Sequence, residues 1–455
     1  MKRFLSLMIV AALSMTMTAG CKKESGKIDL SVGLWPDETQ ADALAKKNEK
    51  KDSFMAENPD INIIPDTYAY DTKTFTMKAA ANQLPNIYVT YYTEISQIIK
   101  SGYAADLTPA LAKYGWDKAI NPELLELCTV DGKVYGLPQS VYVQGLYINK
   151  KIFREAGLVN EDGSIKIPDT YNDVAEFSKI IKEKTGRSGY IIPTTNNCGG
   201  WHFLNIAWSY GTDFMQQKDG KWEATFDTES TKNALQWVKD LKWKYNAFVD
   251  DSLLDQQAIY KNFAANNAAM MFATPPLSTL VTKYGMNIDD IMVVKMPKGP
   301  EGRYSQMGGG IYVFSPNCTE EQIEAGFKWL AYNSYTPETS DETEKALREF
   351  YELSLSKNEI ILDKDVFNVW VGGDRIKQIN AIRKELTNVS SKDYESFYDM
   401  SDVTVNPEPP ACAQELYAIL DGCIQEVLTN KNADIAALVK EACKDFQTNH
   451  LDKME

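Results

Sequence analysis

The chain has 455 residues, with 48 Lys and Arg against 63 Asp and Glu, so its formal net charge is −15. This length exceeds what one hydrophobic core supports, so we expect two or more lobes, and the acidic balance argues against nucleic acid or an anionic membrane surface as a partner. With only two histidines, His202 and His450, the sequence disfavours a histidine metal centre and Ser-His-Asp or Cys-His catalysis.

The first 27 residues have the pattern of an export signal. A positively charged start is followed by an almost uncharged run over 4–18, and small residues then precede Cys21. This order is similar to a bacterial lipobox, although Thr stands where Leu is usual; the alternative is an ordinary secretory signal with an incidental cysteine. We expect a signal peptide over 1–20, lipidation of Cys21 and a polar tether over 21–27. The mature chain would then lie outside the cytoplasm, lipid-anchored to the outer face of the cell membrane, an arrangement that suits a Gram-positive cell.

Strands and helices alternate in the first third of the chain. We expect strands over 28–34, 61–64 and 85–90, and helices over 41–57, 74–81 and 94–101. Such alternation predicts a parallel sheet covered by helices on both faces, with ligands bound beyond the carboxyl ends of the strands. Aromatic residues follow three of those ends, namely Trp35, Tyr68 with Tyr70, and Tyr91 with Tyr92.

The rest of the chain continues this alternation and then becomes mainly helical. Strands are predicted over 133–138, 145–149, 189–192, 268–272 and 291–294. Helices are predicted over 150–156, 170–185, 201–210, 231–245, 259–266, 320–333, 342–355, 374–387, 412–428 and 433–446. Thr170 with Asp173 three residues later indicates a capping box in which Asp replaces the usual Glu.

Six cysteines follow Cys21, and none has the CxxC spacing of a zinc or redox motif. They can pair as disulfides outside the cytoplasm or remain buried thiols, and the sequence leaves both alternatives open. The six are Cys128, Cys198, Cys318, Cys412, Cys423 and Cys443.

A specific pattern covers residues 131–158, which read DGKVYGLPQSVYVQGLYINKKIFREAGL, and continues after a short insert as IPDTYNDVAEFSKIIKE. It resembles the extracellular solute-binding proteins of ABC importers, in the sugar-binding group that includes maltose-binding protein. Further segments resemble the same family in the same order: FMAENPDINI, LPNIYVTYYTEISQIIKSGYAADLTP, NAAMMFATPP and MGGGIYVFSPNCTEEQIEAGFKWLAY. Two departures are Asn86, where Asp is usual, and Thr274-Pro275-Pro276, which replaces a Gly-x-Trp ending.

The resemblance implies an α/β, two-lobe periplasmic-binding-protein-like fold of type II. Each lobe would be a mainly parallel sheet flanked by helices, and the ligand cleft would lie between the lobes. Carried over onto this chain, lobe 1 comprises 28–124 and 297–336. Lobe 2 comprises 125–296 and 337–455, the latter as a helical C-terminal extension.

The resemblance also implies a binding protein without enzyme activity, cofactor or metal. Its partners would be a carbohydrate, in particular an oligosaccharide, and the permease subunits of an ABC transporter, with the chain itself a monomer that binds no nucleic acid. One alternative is a non-sugar solute such as a peptide or polyamine. Others are a surface receptor or adhesin with the same lobes, and a secreted glycosidase, which needs two opposed carboxylates about 5–10 Å apart.

A sugar site needs flat aromatic faces together with amide, carboxylate and hydroxyl partners. Candidates at strand ends, in loops and at family positions are Trp35, Asp37, Glu38, Tyr91, Tyr92, Glu94, Gln139, Tyr142, Trp201, Thr274, Gly309 and Trp370. Some have structural alternatives: Trp35 as a core residue, Asp37 and Glu38 as helix-start charges, and Gly309 as part of a hinge. The NPEPP loop over 406–410 is a further candidate for the rim of the site.

Overall fold

The computed structural model describes residues 26–454, so the predicted signal peptide 1–20, the lipidation site Cys21 and most of the tether 21–27 lie outside the described residues. The strands in chain order are β1 (Ile28–Val32), β2 (Ile61–Pro65), β3 (Ile87–Tyr91), β4 (Thr129–Val130), β5 (Lys133–Val134), β6 (Gly136–Pro138), β7 (Tyr142–Val143), β8 (Gly145–Asn149), β9 (Ser188–Tyr190), β10 (Met215–Lys218), β11 (Lys221–Ala224), β12 (Ala268–Ala273), β13 (Ile291–Val294), β14 (Lys298–Gly299), β15 (Gly302–Gly308), β16 (Gly310–Phe314) and β17 (Thr404–Pro407).

Helices follow most of these strands and form the C-terminal region. In chain order they are α1 (Ala41–Glu57), α2 (Phe75–Ala80), α3 (Ile95–Lys100), α4 (Thr108–Tyr114), α5 (Pro122–Glu126), α6 (Lys150–Glu155), α7 (Tyr171–Thr185), α8 (Cys198–Ser209), α9 (Glu229–Trp243), α10 (Gln256–Ala264), α11 (Thr279–Thr282), α12 (Glu320–Tyr332), α13 (Asp341–Ser356), α14 (Arg375–Leu386), α15 (Glu395–Tyr398), α16 (Ala413–Thr429) and α17 (Ile435–Asn449).

Lobe 1 is built on a five-stranded sheet in the order β2-β1-β3-β16-β6. Strands β1, β2 and β3 are parallel, and β16 runs against both of its neighbours, so four of the five strands share one direction. Leu30 in β1, and Ile61 and Ile63 in β2, alternate with more exposed neighbours and enter the core at 3% exposure or less. The period of two therefore fixes which face of these strands carries the helices.

Lobe 2 is built on a four-stranded sheet in the order β13-β8-β12-β9, in which only β8 runs against the others. Every residue of β8 and β12 is buried, which is the pattern of strands covered on both faces by helices. The predicted capping box is confirmed at α7: Asp173 N–H donates to Thr170 Oγ1 at 3.1 Å, and Thr170 N–H donates to Asp173 Oδ2 at 2.9 Å.

Two crossovers connect the two sheets, the C-terminal region passes between the lobes again, and the two-lobe α/β fold is confirmed. The chain passes from β6 in the first sheet through β7 to β8 in the second, and it returns from β13 through β14 and β15 to β16. Strand β15 pairs with β7, β14 and β17, so the crossovers are held together in one small sheet, here called the hinge sheet.

The predicted lobe boundaries need two corrections. Strand β6 (136–138) was assigned to lobe 2, but it pairs with β16 and so completes the sheet of lobe 1. Part of the C-terminal region also returns to lobe 1: Asn121 N–H donates to the Val369 carbonyl at 2.7 Å, and Val371 N–H donates to the Ala119 carbonyl at 2.8 Å. Backbone pairing over long sequence distances, which no local pattern records, produces both differences. Helix α16 packs on α8 and α9 of lobe 2, and α17 packs on α9 and α16.

The six described cysteines, from Cys128 to Cys443, are free thiols rather than disulfides. Among residues 26–454, no helix combines the length and apolar character needed to cross a bilayer. Across the same residues, no group of three or more His, Cys, Asp or Glu side chains is arranged to hold a metal ion.

Candidate functional site

A cleft with a volume of about 610 Å³ lies where lobe 1, lobe 2 and the hinge sheet meet. Its lining residues are Tyr70, Asp71, Thr72, Tyr91, Thr93, Tyr142, Asn196, Asn197, Cys198, Trp201, Gln256, Thr274, Glu408, Gln414 and Tyr417. A smaller cavity of about 170 Å³ adjoins it and shares Tyr70, Thr72, Thr93 and Gln414. The two cavities form a continuous polar and aromatic recess, which we call the interlobe cleft.

The lobe 1 wall of the interlobe cleft is made by residues at the ends of β2 and β3. Tyr91 is the last residue of β3 and is 49% exposed, and its ring meets that of Tyr70 nearly at right angles, with centroids 5.8 Å apart. The Tyr70 hydroxyl donates to Glu94 Oε2 at 2.7 Å. Burial, with the adjacent Glu94 charge, raises the pKa of Tyr70, so this phenol stays a neutral donor. The wall therefore offers one exposed aromatic face and a carboxylate.

The lobe 2 wall depends on how helix α8 begins. Asp421 of α16 accepts hydrogen bonds from the backbone N–H groups of Asn197 and Gly200, each at 2.7 Å, and so caps the start of α8 from outside. A Cβ at Gly200 would lie 2.3 Å from the Tyr417 carbonyl oxygen, so only glycine allows α16 to approach this closely. The glycines of the TTNNCGG segment thus lock α8 onto α16 and fix where Trp201 projects.

Trp201, Tyr142 and Glu408 form the centre of this wall. The Trp201 indole N–H donates to Glu408 Oε1 at 2.6 Å, and its ring lies 6.4 Å from that of Tyr142 at an interplanar angle of 70°. Tyr142 belongs to β7 of the hinge sheet, where it packs over Gly308; a Cβ there would lie 2.5 Å from the Tyr142 hydroxyl. The rings of Tyr142 and Trp201 are consequently held at a fixed angle, one by strand β7 of the hinge sheet and the other by helix α8.

The charged side chains that line the interlobe cleft are all acidic. Four of its lining residues carry carboxylates, and none of the lining residues in the described part of the chain is Lys, Arg or His. Burial, reinforced by the negative charge of Glu94, raises the pKa of Glu408 to about 7, although hydrogen bonds from Trp201, Tyr417 and Gln306 oppose the shift. The four carboxylates are Asp71, Glu94, Glu408 and Glu415. This lining suits hydroxyl, amide or amine groups and disfavours an anion.

Five of the twelve candidate residues lie together in the interlobe cleft. Tyr91, Tyr142, Trp201 and Thr274 line its larger part, and Glu94 lines the adjoining cavity. Their sequence signals were aromatic or polar residues at strand ends, in loops and at positions of the family pattern.

Two tryptophans among the candidates are core residues instead. Trp35 is 4% exposed and stacks on Trp329 with ring centroids 6.0 Å apart. Trp370 is 9% exposed, and its ring centroid lies 4.8 Å from that of Tyr335. In both cases a distant segment of lobe 1 covers the ring, so the structural alternative holds for Trp35.

The acidic pair after β1 also lies outside the lining of the interlobe cleft. Asp37 accepts a hydrogen bond from Thr39 N–H at 2.8 Å and caps the single helical turn Glu38–Gln40. This interaction with Thr39 lowers the pKa of Asp37, whose side chain is otherwise in solvent. Glu38 is exposed on the same turn.

Three further candidates have structural roles next to the interlobe cleft and do not line it. Tyr92 is 6% exposed in the lobe 1 core, next to the crossovers. Gln139, in the first crossover, links it to the end of the second crossover, because its backbone N–H donates to the Gly310 carbonyl at 2.8 Å. Gly309 has φ 154° and faces the Ser140 carbonyl oxygen, which a Cβ would approach to 2.1 Å, so glycine is required there for chain packing.

The remaining eleven lining residues of the larger cavity were not candidates. Tyr70 was considered only as a strand-end aromatic and Glu408 only as part of the 406–410 rim loop, while Asn196, Asn197 and Cys198 belong to the TTNNCGG segment before Trp201. Gln256, Gln414 and Tyr417 begin or line helices far along the chain, and no local pattern marks them. The residues not among the candidates are Tyr70, Asp71, Thr72, Thr93, Asn196, Asn197, Cys198, Gln256, Glu408, Gln414 and Tyr417.

Comparison with known sequences finds a family that matches most of the two lobes. The sequence model described as bacterial extracellular solute-binding protein matches residues 35–332, well over half of the chain. The multiple sugar-binding protein of Streptococcus mutans is 22% identical over 368 residues, which cover 77% of this chain and 80% of that protein. The maltodextrin-binding protein MdxE of Bacillus subtilis is 23% identical over 297 residues, covering 62% and 64% respectively.

Comparison with solved structures supports the two-lobe architecture. Maltose-bound MalE3 of T. maritima superposes with a TM-score of 0.63 at 17% identity, covering 92% of this chain and 99% of that one. UgpB from Mycobacterium tuberculosis, in complex with glycerophosphocholine, gives a TM-score of 0.66 at 15% identity, covering 93% and 98%. At these identities the likeness establishes the fold and leaves the ligand to the chemistry of the interlobe cleft.

Proposed function

The chain belongs to the family of bacterial extracellular solute-binding proteins, and on that premise we propose that it captures a carbohydrate, specifically an oligosaccharide, and delivers it to an ABC permease. Each lobe supplies one wall of the interlobe cleft, and the hinge sheet joins the walls. Closure of the lobes would remove water from both sides of a ligand and create one surface that a permease can recognise.

The observation that carries this proposal is the combination of aromatic faces with amide, hydroxyl and carboxylate groups in the interlobe cleft. Tyr91 on one wall and Tyr142 with Trp201 on the other present flat apolar surfaces, while Asn197 and Thr274 present amide and hydroxyl groups. Sugar rings have apolar faces and a belt of hydroxyls, so they match this mixture. The volume of about 610 Å³ accommodates more than one ring, which favours an oligosaccharide.

The names of the relatives support the same ligand class. One relative is named a multiple sugar-binding protein and another a maltodextrin-binding protein. The maltose-bound structure shares the fold of this chain. Family members are binding proteins, and we propose that this chain likewise binds its ligand without cleaving it. We also propose that the mature chain is a monomer held on the outer face of the membrane through lipidated Cys21, which keeps a binding protein close to its permease.

A second ligand class is favoured by the charge of the interlobe cleft. Its lining contains four carboxylates and, within residues 26–454, no cationic side chain. Aromatic rings and carboxylates together also bind ammonium groups, so a polyamine is the alternative ligand.

A titration panel tests the proposal. The purified chain without residues 1–21 is titrated by calorimetry with maltotriose, xylotriose, arabinotriose, N,N′-diacetylchitobiose, trialanine and spermidine. We expect saturable binding of at least one oligosaccharide, which chromatography recovers intact after long incubation. Binding of spermidine or trialanine alone would refute the carbohydrate proposal, and cleavage of the bound oligosaccharide would refute the binding-only role.

A further inference from the structure

Glu408 occupies a backbone position that leaves it little freedom. It follows β17, which pairs with β15 in the register Met307↔Pro407, so the chain just before it is fixed on the hinge sheet. It also stands between Pro407 and Pro409, and a residue that precedes proline is confined to extended conformations. The carboxylate is therefore presented to the interlobe cleft from a rigid support.

Three hydrogen bonds from three different elements end on a single oxygen of Glu408. Oε1 accepts from the Trp201 indole N–H of α8 at 2.6 Å, from Gln306 Nε2 of β15 at 3.0 Å, and from the Tyr417 hydroxyl of α16 at 3.2 Å. The Gln306 amide is oriented in turn, because its Oε1 accepts from Gln144 Nε2 at 3.4 Å. These donors hold the carboxylate plane in one orientation.

The second oxygen, Oε2, has no such partner. It accepts no hydrogen bond from any residue in the described part of the chain, and Glu408 lines the interlobe cleft. In a partly buried recess, a carboxylate oxygen loses some of its hydrogen bonds to water. No donor among the described residues replaces them at Oε2, and no cation nearby in the lining compensates the charge. A hydrogen-bond donor supplied by a ligand would complete its coordination.

We propose that Glu408 is a ligand-binding residue whose Oε2 accepts a hydrogen bond from a hydroxyl group of the bound carbohydrate. This inference rests on the proposed function and deepens it by naming the polar contact that selects the ligand. Because Oε1 accepts from the Trp201 indole N–H, a ring stacked on the indole face and a hydroxyl on Oε2 would be positioned relative to each other. Glu408 thereby links aromatic stacking to hydroxyl recognition.

The competing explanation is that Glu408 serves only to hold Trp201, Gln306 and Tyr417 in place. The variant Glu408→Gln separates the two roles. Its amide oxygen can accept the same three hydrogen bonds, while an amide NH₂ takes the place of Oε2 and offers a donor where an acceptor was. A purely structural role predicts unchanged affinity, whereas recognition through Oε2 predicts loss.

Calorimetric titration of wild-type and Glu408→Gln chains with the six members of the panel tests the inference. We expect Glu408→Gln to bind the tightest oligosaccharide of the panel about ten- to a hundredfold more weakly, as for loss of a charged hydrogen bond. Glu441→Gln, a carboxylate-to-amide change exposed on α17, is the matched control and should bind like wild type.

Each outcome has a distinct meaning. Oligosaccharide binding by wild type, with affinity retained within twofold in Glu408→Gln, overturns the role of Glu408 and leaves the proposed function standing. Failure of the wild-type chain to bind any oligosaccharide of the panel overturns the proposed function and this inference with it. Glu408→Ala removes both oxygens, and a folded Glu408→Ala chain should lose at least as much affinity as Glu408→Gln.

Discussion

The indole N–H of Trp201 donates a hydrogen bond of 2.6 Å to the carboxylate of Glu408, although the two residues lie 207 positions apart in the chain. This bond joins helix α8 to the loop after β17 and places an aromatic face beside a carboxylate. Trp201 and Glu408 together form the centre of the lobe 2 wall of the interlobe cleft.

Removing the aromatic face of Trp201 should weaken ligand binding. We expect Trp201→Ala to bind the tightest oligosaccharide of the panel at least about tenfold more weakly, because both the stacking surface and one donor to Glu408 are lost. Calorimetric titration measures the change. Phe350→Ala removes an exposed ring on α13, outside the interlobe cleft, and should leave affinity unchanged; equal losses in both variants would contradict the assignment.

Glu408→Gln should stabilise the ligand-free chain at high pH. Because burial raises the pKa of Glu408 from 4.5 to about 7, the folded state favours the protonated acid, and the resulting stability is complete below about pH 4.5 and lost as pH rises through about 7. At about pH 8 the variant should therefore be more stable than wild type by on the order of 2 kcal/mol, and by less at about pH 5.5. Chemical denaturation at both pH values measures this; a destabilised variant at pH 8 would show that the charge contributes to folding.

Ligand affinity should rise with pH in wild type. If ionised Glu408 accepts the ligand hydroxyl, affinity at about pH 6 should be roughly tenfold lower than at about pH 8. Three neighbours, Tyr142, Tyr417 and His202, do not titrate in this range: burial raises the pKa of Tyr142 and of Tyr417, and it lowers the pKa of His202, beside Trp201, to about 3. Glu94 adds negative charge that opposes ionisation of Glu408. A pH profile that is the same in Glu408→Gln would assign the effect to another group.

The negative charge of the interlobe cleft should exclude acidic sugars. Trigalacturonic acid carries a carboxylate on every ring, and we expect it to bind at least tenfold more weakly than the best neutral trisaccharide of the panel, since no cationic lining residue in the described chain can neutralise it. The difference should shrink as salt screens the repulsion. Tighter binding of the acidic trisaccharide would contradict this electrostatic description.

The predicted anchor can be tested in cells. A Cys21→Ser chain should be exported but released into the culture medium, because the residue that would carry the lipid is absent. Immunoblotting of medium and membrane fractions measures the distribution, and a Cys198→Ser chain, which keeps Cys21, should remain with the cells. Retention of Cys21→Ser at the membrane would refute lipidation at this position.

The fold was predictable because its signals are local or belong to a family pattern. The helix predicted over 41–57 coincides with α1, and the capping box of α7 was recognised from Thr170 and Asp173. Parts of the lobe boundaries were wrong because β6 and residues 369–371 join lobe 1 through pairing with distant segments. Such pairings depend on the completed fold rather than on the composition of the segment.

The site was predictable where a strand end, a loop or a family position marks a residue that also reaches the interlobe cleft. Tyr91 and Trp201 satisfy this condition. Trp35 looked equivalent to Tyr91, but Trp329 of α12 covers its ring, a contact between residues almost 300 positions apart. Glu408 was not predicted as a site residue, because long-range contacts bring it into the interlobe cleft. Its position depends on the pairing of β17 with β15 and on hydrogen-bond donors from three other segments.

The most direct measurement is a crystal structure of the chain with the tightest-binding oligosaccharide of the panel. We expect a sugar ring in the interlobe cleft against Trp201 and Tyr142, with a ligand hydroxyl within hydrogen-bonding distance of Glu408 Oε2. An oligosaccharide bound elsewhere on the molecule, or one in the interlobe cleft that leaves Glu408 and both aromatic faces untouched, would contradict it.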